Sequence, residues 1–155
     1  MRRNLVKLTL FGGDIVLLYI SLGIVLFLRY GGPYLEQEYL AHLLPFTILY
    51  AFWGINFYVM DLYNISAPFN HKHYLYAMLV NVGVAVLFFY AFPGLEISPK
   101  TNLALIALVF TILFYSWHFL VNKIMDTLGI RRPVVIVGSD PHARELAEKI
   151  HRNDR

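Results

Sequence analysis

Few residues in this 155-residue chain could do chemistry, and most of those that could lie inside apolar runs. Asp14 sits in an apolar stretch near the N-terminus, and His118 sits in another stretch that carries no formal charge. An ionised carboxylate at the centre of a bilayer costs about 3 kcal/mol, so such a residue is a functional candidate by default. Asp14 lies early in its run, with Lys7 two turns before it on the same side. The expected role is therefore an anchor reaching the cytoplasmic interface. The competing reading pairs Asp14 with His118, because the fourth apolar run ends on the side where the first begins. His118 itself reads as a buried, hydrogen-bonded residue more readily than as a ligand.

Three other constellations carry less. His71-Lys72-His73, with Asp61 not far before it, resembles a metal or phosphate site. Histidines at i and i+2 share a face only in extended chain, and no second cluster has ligand spacing. A basic loop beside anionic headgroups is the expected account. Val137-Gly138-Ser139-Asp140 places a glycine after a β-branched run and before a helix start, where a phosphate could sit. The dinucleotide fingerprint needs glycines where Asp140 and Ala143 stand. Gly138 and Ser139 are thus the candidate cofactor-binding residues, set against an ordinary turn capped by Ser139 or Asp140. No nucleophile elbow, P-loop or zinc-protease motif occurs, so no catalytic or metal-ligating residue is assigned. The chain has no cysteine, which excludes disulfides, thiolate metal sites and cysteine nucleophiles.

The elements that must position these residues are long and apolar. Hydrophobic residues make up 58% of the chain and charged residues 15%. A soluble domain has about 45–50% and 25%, so the membrane is the expected solvent. Four runs, over residues 8–29, 39–60, 74–92 and 103–123, each approach the ~20 residues a helix needs to cross about 30 Å of hydrocarbon. They are too long for strands, and no alternation of a membrane barrel is present. The first run is too long for a signal peptide, and no cleavage site follows it. The expected fold is an all-α membrane protein, with a four-helix transmembrane bundle over residues 1–125.

Residues 131–155 differ. Val134-Val135-Ile136-Val137 reads as a buried parallel strand, and an apolar stripe of Ala143, Leu146, Ala147 and Ile150 reads as a helix. This is the first βα unit of a truncated Rossmann-like domain. A lone unit cannot cover its own apolar surfaces, so the chain is expected to be an N-terminal fragment of a longer protein. Orientation follows from positive charge. Arg2, Arg3, Lys7, Lys72, Lys123, Arg131 and Arg132 fall on one side, and Arg29 and Lys100 on the other. Both termini are therefore expected in the cytoplasm. Tyrosines near the run ends, such as Tyr30, Tyr39, Tyr58 and Tyr74, suit the headgroup level. The net charge of +3 is scattered and forms no basic stripe, so nucleic acid is not an expected partner.

The order of certain short segments resembles a family. Asp14 and Arg29-Tyr30 mark the first run, and Met60-Asp61-Leu62-Tyr63-Asn64 closes the second. Ile97-Ser98-Pro99-Lys100-Thr101-Asn102-Leu103 leads into the fourth, which carries Trp117 and Asn122. The strand Val134-Val135-Ile136-Val137-Gly138 and the stretch Ala143-Arg144-Glu145-Leu146-Ala147 follow. Over essentially its whole length the chain resembles the N-terminal half of the bacterial polyprenyl glycosylphosphotransferases, which start exopolysaccharide and O-antigen repeat units. The resemblance implies an inner-membrane module of an enzyme that moves a sugar-1-phosphate from a nucleotide-sugar to undecaprenyl phosphate. It also implies a Rossmann-like, CoA-binding-like domain and a C-terminal catalytic domain using Mg2+. That last domain is absent here, so no catalytic residue carries over and this chain alone is expected to be inactive. Lipid bilayer is the direct partner, with self-association a further expectation; undecaprenyl phosphate and nucleotide-sugar would bind only through the absent domain. His118 departs from the pattern, since relatives commonly place arginine after the tryptophan. Two alternatives stand beside this reading: the membrane region of a nucleotide-sugar 4,6-dehydratase or epimerase, and a small four-helix transporter-like protein.

Overall fold

The computed structural model describes residues 2–65, 69–92 and 99–127. Among these residues all regular structure is helical: α1 (Arg2–Tyr30), a 3-10 turn (Gly32–Tyr34), α2 (Leu35–Val59), α3 (His71–Ala91) and α4 (Pro99–Thr127). All four α-helices are long and apolar enough to cross a membrane. The strand and helix expected over 131–155, with Gly138 and Ser139, lie outside the described residues.

The helices extend beyond the apolar runs that announce them. α1 begins at Arg2 instead of residue 8, so Asp14 lies more than three turns from the helix start. The early polar residues are good helix formers and continue the ladder past the apolar stretch. α4 begins at Pro99, where the missing N–H has no intrahelical partner to lose. His71-Lys72-His73 is the first turn of α3, which corrects the loop expected there. Asn70 caps that turn, its Oδ1 accepting from the backbone N–H of Lys72 at 3.0 Å and of His73 at 3.4 Å.

The chain leaves α2 through the Asp61-Leu62-Tyr63-Asn64 turn. Asp61 has φ +58°, the left-handed conformation that a short polar side chain tolerates. Asn64 Nδ2 donates to Asp61 Oδ2 at 2.8 Å and fixes the turn. Leu62 and Tyr63 are buried beneath it.

The helices form a ring in which α1 packs on α2 and α4, and α3 packs on the same two. The α1–α4 contact is the most extensive. Rings of Trp53, Phe57, Phe110 and Phe114 fill the centre, all fully buried. Small residues mediate the close approaches, as in membrane bundles generally. Gly13 is the clearest case: a Cβ there would collide with the Trp117 indole. The outer faces carry Leu8, Leu28, Leu44, Leu87, Tyr90 and Phe119, each well exposed. Apolar surface this extensive is costly in water and ordinary against lipid.

Candidate functional site

In the half of the bundle that holds the α1 N-terminus, α1 and α4 meet through two adjacent pairs of residues. Gly13 leaves room for Trp117, and Asp14 faces His118. His118 Nε2 donates to Asp14 Oδ2 at 3.1 Å, with both side chains buried. Asp14 is 1% exposed, so it does not reach the interface. The anchor expected from its early position is thereby corrected to a polar pair within the bundle. The carboxyl group hangs on one methylene, and that short reach is directed at α4.

An aromatic cage holds the imidazole. The Phe114 ring stacks on His118 with centroids 3.9 Å apart, and the Phe69 and Tyr63 rings stand at 5.7 and 6.4 Å. Tyr63 comes from the turn after α2, so the pair is closed by three separate segments. Its hydroxyl lies against the Asp14 carboxylate but outside strict hydrogen-bond geometry. Burial first, and the neighbouring carboxylate second, push the Tyr63 phenol above its ordinary value, so it stays protonated. Asp14 Oδ1, Tyr63 Oη and Trp117 Nε1 have no hydrogen-bond partner among the described residues. Buried polar atoms left this way are uncommon; Tyr50 Oη, Trp53 Nε1 and Asn81 Nδ2 elsewhere in the bundle are in the same state.

A second network joins the other end of the bundle. Arg29 Nη1 donates to Asn102 Oδ1 at 2.6 Å, and Asn102 Nδ2 lies 3.1 Å from His42 Nε2. His42 Nδ1 lies 2.7 Å from the Glu38 carbonyl oxygen. An amide nitrogen can only donate, so His42 Nε2 accepts and Nδ1 carries the proton given to Glu38. These bonds tie the end of α1 to the starts of α2 and α4. Between the two networks, Asn56 Nδ2 donates to the Ala77 carbonyl at 3.1 Å and to Asn81 Oδ1 at 2.8 Å, joining α2 to α3. Tyr74 donates to Thr111 Oγ1 at 2.9 Å, joining α3 to α4.

The sequence reading singled out Asp14 and His118, and the structure brings them together across 104 residues. It does not single out His42, Asn56 or Asn81; α2 and α3 are apolar on nearly every face, so the signal available was only that a polar residue stands inside an apolar run. His71 stacks on Tyr115 and its Nδ1 lies 3.2 Å from that hydroxyl, while Asp61 is engaged by Asn64. Among the described residues no three of His, Cys, Asp and Glu come together as a metal site. Comparison with protein-family models, with curated proteins and with solved structures finds no match to this chain.

Proposed function

We propose that this chain is the membrane-anchoring module of a sugar-1-phosphate transferase that uses undecaprenyl phosphate, oriented with both termini in the cytoplasm of a bacterial cell. In this reading residues 131–155 begin a Rossmann-like cytoplasmic domain, and the chemistry belongs to a catalytic domain outside this chain.

One observation carries the reading. Those short segments of the family resemblance that lie among the described residues help to fasten the bundle. Asp14 and Gly13 join α1 to His118 and Trp117 of α4, Arg29 binds Asn102, and the Asp61–Asn64 turn brings Tyr63 to the Asp14–His118 pair. The substitution at His118 keeps the chemistry of the position, because an imidazole N–H donates to the carboxylate as a guanidinium would. The transporter alternative gains nothing from the interior. Aromatic rings fill the centre of the bundle, where a transport path would need polar lining.

The test has two arms. Purified chain given nucleotide-sugar and undecaprenyl phosphate releases no nucleoside monophosphate. The same chain, placed ahead of a transferase catalytic domain stripped of its own membrane region, restores membrane placement and transfer. Nucleoside monophosphate released by the chain alone, or a fusion that reaches the membrane without transferring sugar, would contradict the proposal.

A further inference from the structure

A groove of about 620 Å³ runs between the first half of α1 and the last half of α2. Helical stripes at three- and four-residue spacing build it. Asn4 and Lys7 line it toward the start of α1, and Phe11, Ile15, Gly54 and Ala51 line it further along the two helices. Gly54 keeps the floor low, since a Cβ there would press on Phe11 and Ile15 at 3.3 Å. The groove opens on the outer surface of the bundle, separate from the second polar network.

We propose that this groove is a binding site for one anionic glycerophospholipid, with the phosphate held by Lys7 and Asn4 and one acyl chain laid along Phe11 and Ile15. Three observations select that occupant. Lys7 is half-buried, and no carboxylate among the described residues forms an ion pair with it. A cation so placed at a bilayer edge complements an anionic headgroup. Beyond it the lining is mainly apolar, from Leu8, Phe11, Ile15 and Ile55, with the rings of Tyr58 and Tyr63 beside them, which suits a chain better than a free hydrophilic anion. From Lys7 to Ile15 the groove follows α1 for about 12 Å, which accommodates a chain as well as a headgroup. The site depends on the bundle lying in a bilayer and is independent of the transferase reading.

The experiment is native mass spectrometry of the full chain in detergent, with equal amounts of phosphatidylglycerol and phosphatidylcholine bearing identical acyl chains. Phosphatidylglycerol is retained over phosphatidylcholine by about fivefold, the worth of one lysine near an anionic headgroup. Lys7→Gln brings the ratio close to one, and Lys7→Arg preserves it. Ala51→Phe fills the groove from an exposed position and lowers retention of both lipids. Thermal unfolding of each variant reports that the bundle is intact. Equal retention by the natural chain, or an unchanged ratio in Lys7→Gln, overturns the site. Displacement by inorganic phosphate would reduce it to a headgroup contact. Preferential retention of a polyprenyl phosphate at equal concentration would reassign it to a prenyl chain. Either result overturns the acyl-lipid assignment.

Discussion

Asp14 and His118 define the chemistry of the bundle at the scale of single residues. An interhelical hydrogen bond in a membrane averages about 0.6 kcal/mol and reaches about 1.7 kcal/mol. Removing one partner costs more than this, because the other stays buried and unmatched; the penalty is about 1–3 kcal/mol, and larger for a charge. Both side chains are nearly inaccessible, and the aromatic cage leaves His118 no alternative acceptor among the residues described around it. Asp14→Ala and His118→Ala should therefore each destabilise the protein by roughly 2–3 kcal/mol. The double variant should fall no further than the worse single, because the two residues act as one unit. Asp14→Asn, which keeps an acceptor oxygen, should lose less than Asp14→Ala. Thermal unfolding in detergent of all four variants checks this, and strictly additive losses would show that the two side chains do not interact.

At the scale of helices, close approach decides which glycines matter. Gly12, Gly13 and Gly83 are all helical, and helix propensity alone favours alanine at each by about 1 kcal/mol. Gly12 and Gly83 have open space where a Cβ would stand, so Gly12→Ala and Gly83→Ala should be neutral or mildly stabilising. Gly13 faces the Trp117 ring. Gly13→Ala should therefore destabilise by about 1–3 kcal/mol through overpacking, although it sits one residue from a harmless position. Trp117→Ala should relieve that clash, so the combined variant should be more stable than additivity allows. Melting temperatures of these variants test α1–α4 packing directly.

The same scale shows what was legible beforehand. The four helices could be read from the length and apolarity of their runs, because a bilayer demands about 20 such residues. Their ends could not. Arg2 to Lys7, His71 to His73 and Pro99 to Asn102 are mostly polar or turn-forming, yet they are helical: Asn70 caps the start of α3, proline suits the first position of α4, and arginine and lysine are good helix formers. Asp14 was recognisable as costly, and His118 as its conceivable partner. Their burial was not, because it depends on which face of α1 meets α4. That choice rests on Gly13, whose role is a missing side chain.

At the scale of the whole molecule, four helices are long and apolar enough to cross a bilayer, and four crossings would return the chain to the side on which it began. In the ring of antiparallel neighbours, the start of α1, the start of α3 and the end of α4 share one end of the bundle. The chain lacks cysteine, so single cysteines can be introduced without removing any. Glu36, Lys72 and Thr127 are exposed and lie at the start of α2, the start of α3 and the end of α4. The decisive measurement is labelling of Glu36→Cys, Lys72→Cys and Thr127→Cys with a membrane-impermeant maleimide, before and after permeabilisation. Glu36→Cys should label in intact cells, and the other two only after the membrane is opened. Labelling of Lys72→Cys and Thr127→Cys in intact cells would contradict the orientation, and Glu36→Cys and Lys72→Cys reacting from the same side would contradict the four-crossing bundle.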